Sequence, residues 1–265
     1  MPAFYTHARF GKEVLEQLKP EVRAVVDRYP ELFYIGLQGP DILFYHKAYK
    51  KNTISQIGYA QHGKPGSDFF QPARKIIADA QNKEAAFCYA AGFICHFTLD
   101  SQCHPYIATV EAAKKLSHTE IEAEEDRYLM VLDGKDCLRH IEADKVVISA
   151  ENAEVISWFF EGVSEEDVSR SLRHLRFFCH MFCAPGRVKR SIVSMALKIA
   201  GKYDSMAGML VNYEENQACH ESTMKIAQLS QEVIPLASQL IEEYQLAVED
   251  EGEMLHERYE HTFGE

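Results

Sequence analysis

The stretch from Lys83 to His104, KEAAFCYAAGFICHFTLDSQCH, sets the terms for the rest of the chain. Its apolar residues cover most of a helix circumference, so it reads as a central buried helix. Yet it carries His96, Asp100 and His104. A helix turns about 100° per residue, so each four-residue step moves only about 40° around the axis and the three share one face. Polar groups on so apolar a helix need partners. His118 and Glu122 repeat the four-residue step on the next predicted helix. Imidazole and carboxylate are the usual ligands of catalytic zinc, and such pairs let one rigid helix present two of them. A chain with 12 His produces some of these pairs by chance, and Ser117-x-x-Glu120 also reads as a capping box that places His118 at a helix start. Two pairs, linked by a further His in phase with the first, favour a metal.

The bulk properties narrow the classes. The chain has 265 residues, 46% of them hydrophobic, enough for a sizeable core. No run alternates cleanly as a strand should; Lys145-Val-Val-Ile-Ser is the nearest candidate. With no internal repeat and no low-complexity linker, residues 1–265 read as a single all-α, multi-helix domain. The net charge of −12 weighs against attraction of nucleic acid or anionic lipid by the overall field, although a metal cluster can still bind phosphate locally. No basic-then-apolar segment opens the chain and no apolar run approaches the roughly 18 residues of a membrane span, so a cytoplasmic protein is expected. The seven Cys, odd in number and without zinc-finger spacing, read as reduced thiols. Cys179 and Cys183, among Phe177, Phe178, Met181 and Phe182, read as packing residues.

In chain order, Gly11 to Tyr29 has helical periodicity that Pro20 splits, and Pro30 to Ile35 is a short helix. Gly39 supplies a turn and Pro40 a helix start, placing Asp41 in a first turn between apolar flanks. Asn52 to Gln61 is a short helix ending at His62-Gly63, and Ser67-Asp68 caps the next. Pro105 ends the central helix just after His104. Helices follow from His118 to about Leu132, from the Ser164 cap to about Phe182, over Val188 to Tyr203 and over Cys219 to Glu249. The charged stretch from Glu249 to Glu265 is expected to fray. His7 would lie near a free amine if Met1 is removed and Pro2 becomes the terminus.

The order His7, Asp41, His62, His96-x-x-x-Asp100-x-x-x-His104, His118-x-x-x-Glu122 resembles the zinc-dependent phospholipase C family and, more distantly, the single-strand-specific nucleases. The motif occupies the first half of the chain. The resemblance implies two or three zinc ions between helices. One would be held by Asp41, His62, His96 and Asp100, and a second by His104, His118 and Glu122. Asp100 would bridge the first to a third, completed by His7 and the terminal amine. It further implies hydrolysis of a phosphodiester by zinc-activated water, with Asp41 as catalytic base. A small phosphodiester or a phospholipid head group is the implied substrate. The chain departs from the pattern in starting Met1-Pro2 instead of Trp, and in lacking the C-terminal β-sandwich of the toxins. No Asp or Glu precedes His7, and Ile42 follows Asp41, so the choline-recognising residues are not reproduced, although Tyr59, three before His62, matches a family aromatic.

Two alternatives stand beside this one: a nuclease-type phosphodiesterase of the same architecture, and a non-catalytic metal-binding helical protein. Of the other polar residues, His174 and His180 with Arg170, Arg173 and Arg176 read as a solvated helix face. His140, His220, His256 and His261 read as surface residues, and Glu120, Glu124 and Glu125 as a charged solvent face. Phe97 and Tyr106 read as core.

Overall fold

A computed structural model describes residues 3–250 and 252–264. Twelve α-helices follow one another with no strand among the described residues: α1 (Phe4–Gln17), α2 (Pro20–Val26), α3 (Pro30–Gly36), α4 (Thr53–His62), α5 (Ser67–Asp79), α6 (Lys83–Lys114), α7 (His118–Leu132), α8 (Ala150–Ser157), α9 (Glu165–Phe182), α10 (Arg187–Ile199), α11 (Tyr203–Met206) and α12 (His220–Glu249). Four 3-10 turns lie between or after them, at Gly39–Tyr45, Glu142–Lys145, Ala207–Met209 and Glu257–Glu260. The all-helical expectation is met. Pro20 and Pro30 each occupy the first turn of a helix, where a missing N–H costs nothing.

Helix α6 is the axis of the fold, as its apolar circumference requires. Every residue from Ala85 to Ser101 is buried, and α1, α2, α3, α5, α7, α8 and α12 all pack against it. The closest of these approaches is to α3. A Cβ on Gly36 would fall 2.3 Å from the Tyr89 carbonyl oxygen, and one on Gly92 would fall 2.1 Å from that of Phe33. Only glycine at both positions lets the two backbones meet. One hydrophobic core runs from Phe4 to Phe263, with the Phe69 and Phe93 rings stacked at 3.8 Å.

Several boundaries differ from the sequence expectation. Pro105 does not end α6, which continues to Lys114. A proline inside a helix forfeits one hydrogen bond and strains a turn, about 3 kcal/mol. Burial of Ile107 and Val110 beyond it is of comparable size, at about 1.5–3 kcal/mol per side chain. Ser67 is the first residue of α5 and makes no cap. The strand candidate is an extended link whose last residue, Ser149, caps α8 by accepting from the Asn152 N–H at 3.0 Å. The described residues from Glu257 to Phe263 do not fray: Tyr259 and Phe263 are fully buried. Arg258 donates to Ser101 Oγ at 3.0 Å, and Gly66 N–H donates to the His261 carbonyl at 2.9 Å.

The acidic run of α7 also departs from a solvent face. Glu124 and Glu125 are buried. Glu124 accepts from Asn212 Nδ2 at 2.6 Å and from Asn216 N–H at 3.0 Å. Next to them, Asp126 closes the start of α1, which has no capping side chain of its own. It accepts from the N–H of Thr6 at 2.8 Å, that of Tyr5 at 3.3 Å and Thr6 Oγ1 at 2.7 Å.

The Gly36–Gly92 contact gives a direct test. Gly92→Ala should destabilise the protein by about 2–4 kcal/mol, because the methyl meets backbone that cannot move aside. Gly134→Ala, where nothing lies within 4 Å and only the φ of +70° is strained, should cost about 1 kcal/mol. Urea-unfolding midpoints separate the two.

Candidate metal centre

Five segments bring their polar side chains to one place. Helix α6 presents His96, Asp100 and His104 up one face. Helix α7 begins there because Ser117 caps it, its Oγ accepting from the Glu120 N–H at 3.3 Å, so His118 and Glu122 project from the first two turns. Asp41 comes from the 3-10 turn at Gly39–Tyr45, His62 from the last residue of α4, and His7 from the first turn of α1. Gly39, at φ +49°, lies where a Cβ would strike the His96 ring at 2.1 Å, so glycine lets the Asp41 turn press on that imidazole.

Asp100 is the hub. Its Oδ1 lies 3.2 Å from His7 Nε2 and 3.7 Å from His104 Nε2. Its Oδ2 lies 3.1 Å from His96 Nε2 and 3.8 Å from His62 Nε2. On one side of it, His62 Nε2 is 3.1 Å from Asp41 Oδ1. On the other, Glu122 Oε1 is 3.2 Å from His118 Nε2 and 3.7 Å from His104 Nε2. The donor atoms fall into three groups, each within 4.8 Å: His7, His96 and Asp100; Asp41, His62 and His96; and His104, His118 and Glu122.

All eight residues singled out in the sequence are therefore brought together. The third group is the set expected for the second zinc. In the other two the apportionment differs, with His96 shared between them; its ring stacks on His7 at 4.6 Å. Pro2 and the terminal amine lie outside the described residues.

The electrostatics follow from packing carboxylates among imidazoles. Burial alone would raise the Asp100 carboxyl, but His104, His96 and His7 hold it well below the usual range. Glu122 is likewise drawn down to about 2, His118 and His104 outweighing its burial. Burial pulls the His62 and His118 imidazoles down, yet Asp41 and Glu122 respectively bring them up to about 9. His96 behaves differently. It is 1% exposed, and desolvation dominates and lowers its pKa. Its Nδ1 has no hydrogen-bond partner, and its Nε2 and Asp41 Oδ1 make no well-aligned hydrogen bond although Asp100 Oδ2 and His62 Nε2 lie 3.1 Å from them. Buried polar atoms are rarely left so. A nitrogen-and-carboxylate donor set with orphaned lone pairs fits zinc.

The centre is open at one end. His7, His96 and Asp100 are buried, whereas the side chains of His62 and His118 are 22% and 37% exposed. Residues outside the motif steady the rings. His62 Nδ1 bonds the Gly58 carbonyl at 3.2 Å, turning Nε2 toward Asp41. Glu111 accepts from the His118 N–H at 2.8 Å and lies 3.4 Å from its Nδ1. The segment beyond α12 forms a wall: the Phe263 ring lies 5.5 Å from His62 and 6.1 Å from His96, and Gly264 sits beside His104. Phe263 carries no spacing signal that ties it to the ligands, whereas Glu111 lies seven residues after His104, in phase with the ligand face of α6.

The remaining histidines act locally. His174 Nδ1 lies 3.0 Å from the Tyr45 carbonyl and 3.2 Å from the Lys47 nitrogen, donating to the first when protonated or accepting from the second when not, so it anchors the turn after Asp41 and does not lie on a free face. His180 pairs with Asp144, and His256 caps the last 3-10 turn. His140 is half-buried against Tyr5 and pairs with Glu142.

An all-helical fold with three His-carboxylate groups gathered about one central helix defines a class of candidate metal-binding domain. The family model for zinc-dependent phospholipase C matches residues 6–173, and the chain belongs to that family. Searches among curated proteins and among solved structures found no match.

The raised imidazoles have a consequence for the metal-free protein. A His held above its unfolded value of 6.5 contributes stability that is complete below that pH and lost as pH rises through about 9. Without metal, the thermal midpoint should fall between pH 6.5 and 9. With zinc it should rise over that interval, because neutral imidazole is the ligand. Melting in chelator and in zinc across this range measures both.

Proposed function

We propose that the chain is a zinc-dependent hydrolase of phosphodiesters, acting on a phospholipid head group or a small phosphodiester. One observation carries this reading: three His-carboxylate groups joined at Asp100, inside the region that belongs to the phospholipase C family. Asp41, His62, His96 and Asp100 would hold one ion, and His104, His118 and Glu122 a second. His7 with Asp100 would hold a third, giving two or three ions in all. Bound zinc supplies Lewis-acid polarisation of a phosphoryl oxygen and lowers the pKa of water.

The chain's own residues do the rest. The exposed edge formed by His62 and His118 admits the substrate, while the buried trio behind it excludes water. Asp41 reaches this edge beside His62, and its carboxylate takes the proton from the attacking water. Glu111 and the Gly58 carbonyl hold the His118 and His62 rings in register, which keeps reacting groups aligned. Residues 1–265 act as one domain on this reading, supported by the continuous core from Phe4 to Phe263. No helix among the described residues is long and apolar enough to cross a membrane.

Purified protein should contain zinc and hydrolyse a chromogenic aryl phosphodiester or a phospholipid, and chelator should abolish that activity. Asp41→Asn should lower kcat by about 10²- to 10⁴-fold. Metal content and turnover measured on the same samples decide the matter. Zinc without turnover on lipid, aryl or nucleotide diesters would leave the non-catalytic metal-binding protein, and preference for single-stranded polynucleotide would leave the nuclease.

A further inference from the structure

The outer face of α10 is apolar and uncovered. Val188, Ile192, Met195 and Ile199 are 75%, 63%, 63% and 83% exposed. At about 100° per residue they fall within an arc of about 60°. The helix does not need this stripe to pack. Its other side already does so, through Val193 and Leu197 in a cluster with Phe182 and Leu210. A helix with one buried stripe and a second, exposed one has surface left for something else.

The surrounding charge says what that is. Helix α10 itself carries four of the chain's 28 Lys+Arg (Arg187, Lys189, Arg190 and Lys198) and none of its 40 Asp+Glu. Arg187 and Lys198 project from one flank of the stripe and are exposed, while Lys189 on the other flank turns its Nζ onto the His180 and Cys183 carbonyls at 2.7 and 2.6 Å. In a protein of net charge −12, this helix is a cationic island. An apolar stripe edged by cations matches the boundary between head groups and acyl chains of an anionic bilayer. It does not match a second copy: stripe against stripe would press two sets of Arg187 and Lys198 together. The stripe runs about 17 Å, long enough to lie in the membrane plane and too short to cross it.

We propose that α10 is a docking helix for an anionic phospholipid surface. The segment that follows it braces it against the metal centre. A Cβ on Gly208 would meet the Glu120 nitrogen at 2.7 Å, and Asn216 Nδ2 donates to Glu120 at 2.8 Å. Both contacts fall on the first turn of α7, the turn that bears His118. Docking is independent of hydrolysis and holds whether or not the centre is catalytic.

Flotation of zinc-loaded protein tests this, with vesicles of phosphatidylcholine alone and of phosphatidylcholine mixed with phosphatidylglycerol. Binding is expected to the mixed vesicles only, weakening as salt rises. The double variant Ile192→Gln, Ile199→Gln should bind at least about tenfold more weakly. Arg187→Gln with Lys198→Gln should bind several-fold more weakly with a flatter salt dependence. Unchanged circular dichroism, thermal midpoint and turnover of a soluble diester show that the variants keep their fold and centre. Absence of binding to the mixed vesicles, or equal binding by the isoleucine variant, overturns the proposal. So does a wild-type oligomer that the isoleucine variant dissolves while no vesicle is bound, which would assign the stripe to a second copy.

Discussion

A carboxylate sealed inside a helical core must be compensated by charge or by metal, and Asp100 is such a carboxylate. Four imidazoles from three helices converge on its two oxygens. Taken singly, each of those groups is an expensive thing to bury. Together they form a balanced set that draws α1, α4 and α6 to a common point. The architecture around it serves that convergence. The paired glycines let α3 press on α6, and Gly39 lets the Asp41 turn lie on the His96 ring. Asp126 lets α1 begin where His7 must sit.

The helical architecture and five of the eight candidate ligands, His96, Asp100, His104, His118 and Glu122, were legible in the chain because they depend on spacing, while His7, Asp41 and His62 entered as ligands through the family resemblance. A four-residue step fixes which side chains share a face of α6 or α7, whatever the tertiary structure does. Pro20 and Pro30 marked helix starts because their effect is local. The misreadings share an opposite character. Pro105 has a local cost, and burial of Ile107 and Val110 two turns on overrides it. Glu124 and Glu125 are charged, but Asn212 and Asn216 meet Glu124 from about ninety residues away in sequence, and no periodicity reports a partner so remote. Phe263 escaped notice for the same reason, reaching His62 and His96 by tertiary contact alone. Glu111 lies seven residues after His104, in phase with the ligand face, and was hidden because the helix was expected to stop at Pro105.

The molecule divides its labour along its length. All eight candidate ligands lie between His7 and Glu122, within the part matched by the family. Helices α10 to α12 lie beyond that part. They and the segments joined to them contribute the cationic outer face, the asparagines that hold α7, and the closing wall. Overall charge is therefore a poor guide to this surface: −12 describes the average, while one helix carries the opposite sign.

The wall made by Phe263 and Gly264 ties a remote stretch of chain to the cluster. The residues that cover His62, His96 and His104 come long after Glu122, the last candidate ligand, and carry no ligand themselves. Access to the imidazoles on that side is therefore governed by a segment with no stake in coordination, and displacing it would bare the cluster without removing a single donor atom.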